Sequence, residues 1–183
     1  MKTKIPVIWI MLIGLMSSIT LGVLLDQPKT DSYSTFVFGI AHEHASISMK
    51  IFGDEFDFTK PEFQLQNPFI HLENSNGYVV HRHSKDVTIG YLFETINLGL
   101  LSNCIVFHDG TKFCSNEDYI LKFYINEKKV DDLRDYLIFE GDLILISYGS
   151  ENQEKIAEQL AELKARDFPF KLRENNGNNL SNF

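Results

Sequence analysis

A chain of 183 residues, 44% of them hydrophobic, has room for one globular domain and appendages. Its formal charge of −8 and pI near 5.2 exclude a phosphate-backbone binder, because Lys and Arg never gather into a stripe. Nucleic acid is not an expected partner.

The N-terminus sets the class. Ile5 to Leu25 is an uncharged run of about 21 residues, and at about 1.5 Å per residue it matches the roughly 30 Å of a bilayer core. Lys2 and Lys4 precede the run and Asp26 follows it, which keeps the N-terminus cytoplasmic and sends the rest across. A cleaved signal peptide is the competing reading. Its apolar region is normally about 7–15 residues and ends in a small-x-small site. Here the run is longer and ends in "GVLLD", although "MSSIT" offers small residues earlier. The sequence therefore predicts a single-pass anchor over 5–25, in the cell membrane, with the body of the protein outside the cytoplasm. Residues 26–35, "DQPKTDSYST", read as a polar linker. The domain is expected over 36–149, a helix over 150–168 and a frayed Asn-rich tail over 169–183.

Strand patterns dominate the body. In "HASISMKIFGDEFDFT", Ala45, Ile47, Met49 and Ile51 alternate with His44, Ser46, Ser48 and Lys50, a period of two. Gly53-Asp54 is expected to turn the chain, with Phe56 and Phe58 on the return strand. "PFIHLENSNGYVVHRH" reads as a second hairpin. "TIGYLFETINLGLL" switches to helical spacing, with Thr88 as N-cap and Ile89, Leu92, Phe93 and Ile96 on one face. "CIVFHDGTKFC" is a third hairpin, and "ILKFYINEKKV" with "DYLIFEGDLILISYG" supplies three more short strands. In "SENQEKIAEQLAELKARDF", Ser150 and Gln153 have capping-box spacing, and Ile156, Leu160 and Leu163 form an apolar stripe.

Side chains alternate along a strand, so parity decides which residues share a face. Ile70 and Leu72 are core residues, which sends His71 and Glu73 the other way. Tyr78 and Val80 are expected inward and His81 and His83 outward. A three-residue loop, Ser75-Asn76-Gly77 with glycine in the left-handed region, reconciles the two arms. It sets His71 opposite His81 and diagonal to His83. His42 and His44 also share a non-core face, and they join the others if their strand lies beside the hairpin. Five of the six histidines thus fall within residues 42–83.

Three or four imidazoles within reach suit Zn²⁺ or Cu²⁺. The expected ligands are His71, His81 and His83, with His42 and His44 completing or flanking them. Glu43 and Glu73 are placed to give an oxygen ligand or to accept an imidazole N–H. The bland reading of such residues is a polar sheet face, and for His108 in the "HDG" turn it is preferred. The His-x-His strand is shared with cupins, but their glutamate and glycines are missing after His83. If His108-Asp109-Gly110 is a three-residue loop, Cys104 faces Cys114 across a ladder, and an even cysteine count outside the cytoplasm favours a disulfide. No C-x-x-C, G-x-S-x-G or phosphate loop is present.

Two resemblances follow from these residues. "VTIGYLFETINL" and "YLIFEGDLILI" resemble the ubiquitin-like β-grasp fold, which implies an α+β domain with a mixed, mainly antiparallel sheet around one helix. "HEHAS", "IHLE", "VVHRHS", the cysteine pair and "DLILISYG", in that order, resemble a family of small membrane-tethered archaeal and bacterial domains. Some members carry a protein-disulfide isomerase label, which implies thiol exchange. This chain departs from that chemistry, with nine residues between its cysteines rather than two. The expected function is extracytoplasmic binding, storage or delivery of Cu or Zn, not catalysis. The alternatives are a metal-free interaction module and a thiol-disulfide exchange protein.

Overall fold

The computed structural model describes residues 37–166. The predicted anchor, linker and tail lie outside the described residues, and among those described no helix is long and apolar enough to cross a membrane. In chain order the strands are β1 (Glu43–Ile51), β2 (Asp54–Glu55), β3 (Ile70–His71), β4 (Val79–Arg82), β5 (Leu98–Leu100), β6 (Cys104–Phe107), β7 (Lys112–Cys114), β8 (Ile120–Ile125), β9 (Lys128–Val130) and β10 (Asp142–Gly149). Helix α1 (Ile89–Thr95) stands between β4 and β5, and α2 (Gln153–Ala165) follows β10. The class is α+β, as expected.

The period-two pattern of β1 works as read. Ala45, Ile47 and Met49 enter the main core, while Ser46, Ser48 and Lys50 turn to the other face. With apolar residues on one side and small polar ones on the other, β1 suits a sheet centre. It pairs parallel with β10, from Ala45↔Asp142 to Ile51↔Tyr148, and antiparallel with β4. The large sheet runs β3-β4-β1-β10-β8-β9, with β2 folded against the end of β1. Strands β5, β6 and β7 form a separate three-stranded sheet.

Each face of the large sheet carries a helix. Helix α1 packs Ile89, Leu92 and Phe93 into the main core with Ile47, Phe123 and Ile146. Its N-cap is Thr88, whose hydroxyl accepts the Tyr91 N–H at 3.2 Å. The helical spacing stops at Thr95, and Leu98–Leu100 becomes β5 after Asn97 takes a left-handed φ of 60°. Helix α2 covers the opposite face, where Ile156 and Leu163 meet Val79 and Leu145. Its cap is Asn152, which accepts the Lys155 N–H, rather than Ser150. Lys50 Nζ donates to Glu162 at 2.6 Å, and the Arg166 guanidinium lies 3.9 Å over the Tyr78 ring.

Three turn expectations need correction. The first hairpin turns at Phe52-Gly53, both at positive φ (54° and 87°), because Asp54 pairs directly with Ile51. Phe56 and Phe58 still pack toward the core, but outside a strand. In the second hairpin the left-handed residues are Asn74 and Ser75, not Gly77. Gly77 is needed for close approach instead, since a Cβ there would stand 3.0 Å from the Thr59 backbone nitrogen. The Asn76 side chain accepts the N–H groups of Tyr78 and Val79, so the ladder restarts at Val79. Tyr78 therefore joins the α2 side, while Val80 is inward as expected.

The third hairpin matches its expectation. Cys104 pairs with Cys114, Val106 with Lys112, and Gly110 is left-handed in a three-residue loop. The two cysteines are bonded, with Cα atoms 4.0 Å apart.

Candidate metal centre

Five of the histidines lie on the face of the large sheet that also carries α2, at its other end. Register puts them in two rows across β1, β4 and β3. His44 pairs with His81, and His81 pairs with His71. One step further along the same face, the His42 ring lies 4.9 Å from that of His83, and His83 N–H donates to Phe69 O at 2.7 Å. The adjacency of β1 and β4 thus brings the upstream pair to the hairpin.

The five imidazoles close into a ring of neighbours. Centroid separations are 4.8 Å from His42 to His44, 4.8 Å from His44 to His81 and 5.7 Å from His81 to His71. They continue at 5.1 Å from His71 to His83 and 4.9 Å from His83 back to His42. The tightest set of ligand atoms belongs to His42, His81 and His83, one nitrogen from each lying within 4.8 Å of the other two. The expected set led with His71 in place of His42. The His42 ring lies slightly nearer His83 than the His71 ring does, at 4.9 against 5.1 Å between centroids. Two nitrogens on a tetrahedral zinc stand about 3.3 Å apart, from bonds of about 2.0–2.1 Å.

Hydrogen bonds orient two of the other rings. His71 Nδ1 lies 2.8 Å from Asn67 O, and a carbonyl only accepts, so Nδ1 donates there and Nε2 is the nitrogen left to face the cluster. His44 Nδ1 lies 3.0 Å from Glu140 Oε2, which also accepts the His44 backbone N–H at 2.9 Å. A carboxylate behind an imidazole fixes its tautomer and ring orientation, the usual support of a metal-bound histidine. Glu73 lies on the same face, its Oε2 3.6 Å from His71 Nε2 and its Oε1 3.7 Å from His81 Nε2.

Charge favours the neutral, ligating form. Burial lowers the pKa of His81 from 6.5 to about 4; Glu73 opposes the shift and the neighbouring His44, His71 and His83 add to it. His83 is lowered as well, by burial first and then by His71 and His42. Both rings therefore hold lone pairs at neutral pH.

Glu43 is not brought to this site. Parity turns it to the opposite face, where it accepts the Glu140 N–H at 2.8 Å and stands 4.0 Å from the Arg82 guanidinium. His108 sits at the tip of the third hairpin, in the other sheet. Sequence reasoning missed Glu140, which is 96 residues from His44, and Asn67. Glu140 had only the signal of a turn, and no local pattern points an acid at a distant imidazole. Replacing it with alanine removes the carboxylate that orients His44 beside the ligand set and is expected to weaken metal binding by at most about tenfold, the low end for loss of a ligand's supporting acceptor. Isothermal titration would measure this, with the melting temperature of the metal-free protein little changed because the carboxylate is 40% exposed.

No protein-family model, curated protein sequence or solved structure matches the chain.

Proposed function

We propose that this face binds a transition-metal ion, Cu or Zn, through His42, His81 and His83, with His44 and His71 beside them. The observation that carries the reading is the convergence of those three ligand nitrogens within 4.8 Å. The lowered pKa of His81 and the carboxylate behind His44 support it. An all-nitrogen set favours copper within the divalent series, while zinc accepts the same ligands in a tetrahedron.

The cellular role that fits is binding, storage or delivery outside the cytoplasm, with residues 5–25 as the membrane anchor. The order β4-β1-β10-β8-β9, its parallel central pair and the helix after β4 support a β-grasp reading of the domain, with β5 to β7 as an insertion. Thiol exchange is the weaker alternative, because Cys104 and Cys114 face each other across two strands without the C-x-x-C loop.

Elemental analysis of the full-length chain after exhaustive dialysis tests the reading. At least one equivalent of Cu or Zn is expected in the native protein and none in a variant carrying alanine at His42, His81 and His83. A native protein that neither retains nor takes up either ion ends it.

A further inference from the structure

The ring offers more ligands than one ion takes. A tetrahedral ion needs four donors, and this face presents five imidazoles and a carboxylate. Glu73 is placed unlike the others. Each of its two oxygens faces a different imidazole nitrogen, Oε2 toward His71 at 3.6 Å and Oε1 toward His81 at 3.7 Å. Both distances exceed the hydrogen-bond range, yet both are close to the spacing of two ligands on a common ion, about 3.3 Å for bonds of 2.0–2.1 Å. On the His71 side, Asn67 O accepts at Nδ1, which leaves Nε2 as the ring nitrogen that faces the carboxylate. A cation between Nε2 and Oε2 would use both atoms.

Resting on the metal reading above, we infer that the face holds two ions, with Glu73 as the bridge between them. The first ion takes His42, His81 and His83 with Glu73 Oε1 on its flank. The second takes His71 Nε2 and Glu73 Oε2, and completes its shell with water, which the 32% exposure of the Glu73 side chain admits. A carboxylate whose oxygens serve separate ions is the ordinary link of paired metal sites, where the ions stand about 3.5–4 Å apart. With only two protein donors the second position is the weaker, so loading is stepwise.

Copper sulfate titrated into the full-length chain, followed by electron paramagnetic resonance, tests this. One equivalent should give the signal of an isolated Cu²⁺. A second should broaden that signal and add a half-field transition from two coupled ions. Glu73→Gln and, independently, His71→Asn should each remove the half-field transition, and circular dichroism checks that both variants fold. Saturation of the native chain at one equivalent overturns the second ion and leaves the first standing. A second equivalent that adds an uncoupled signal also overturns it, because that copper lies elsewhere on the surface. Failure to bind even one equivalent removes the underlying reading and this one together.

Discussion

Replacing His81 with alanine is expected to abolish the metal binding proposed for this face while making the protein more tolerant of acid. His81 sits in the middle row of the cluster, with His44 on one side and His71 on the other, and it belongs to the tightest ligand set. A four-ligand zinc site supplies roughly 10–16 kcal/mol, so one ligand accounts for about 3 kcal/mol, more than a hundredfold in affinity. The acid effect has the opposite sign. Burial holds the folded-state pKa near 4, against 6.5 in the unfolded chain. Above pH 6.5 the ring is neutral in both states and contributes nothing to the pH dependence. Between pH 6.5 and 4 the unfolded chain binds the extra proton, so stability falls as pH drops through that window. The full shift corresponds to about 3 kcal/mol, and residual solvent contact reduces it to about 1–2 kcal/mol. Denaturant titrations of the metal-free proteins at pH 7 and pH 4.5 should show a smaller loss for His81→Ala than for the native chain. Equal losses would mean that the ring titrates normally and is not desolvated by its neighbours.

What the sequence could show of this site was its local half. Parity along "IHLE" and "VVHRHS" orients His71, His81 and His83 because strand geometry allows only two directions. The same rule placed Cys104 opposite Cys114, where Asp109-Gly110 closes a loop of ordinary type. It failed at Tyr78, where Asn76 takes two backbone N–H groups and breaks the alternation, and at Gly77, whose role depends on Thr59 from another part of the chain. The contact of β1 with β4 was stated only as a condition, because about thirty residues separate the strands and no local signal selects the partner. The parallel β1–β10 pair spans almost a hundred residues. Pairings of that range are decided by which apolar faces bury together, and the sequence shows those faces without showing how they are matched. Glu140 reaches His44 only as a consequence of that pairing, through the turn that leads into β10.

Arg82, one residue from His81 on the opposite face, is expected to show the converse behaviour. Its side chain is buried, and its guanidinium donates to Ile138 O at 3.0 Å, Ser84 O at 2.7 Å and Lys85 O at 3.2 Å. It binds no metal. It pins the turn after β4 and the segment before β10 to the strand that carries His81, with Glu43 4.0 Å away balancing its charge. Arg82→Met keeps much of the apolar stem but leaves three carbonyls without their donor and Glu43 without its nearby positive charge. Leaving a buried acceptor without its partner costs about 1–3 kcal/mol, so losing these donors takes a large share of a typical domain's stability of about 5–15 kcal/mol. Equilibrium denaturation of the metal-free variant should show that loss, and a loss below about 1 kcal/mol would mean the carbonyls find other donors. Added metal should then restore part of the stability, because an ion at one hundred times its Kd contributes about 2.7 kcal/mol to the folded state. His81→Ala should show no such recovery. Alternation along β4 thus turns adjacent residues to opposite faces, His81 to the proposed ion site and Arg82 to the side where it pins the neighbouring segments. Comparing the two variants with and without metal separates loss of the site from loss of the fold.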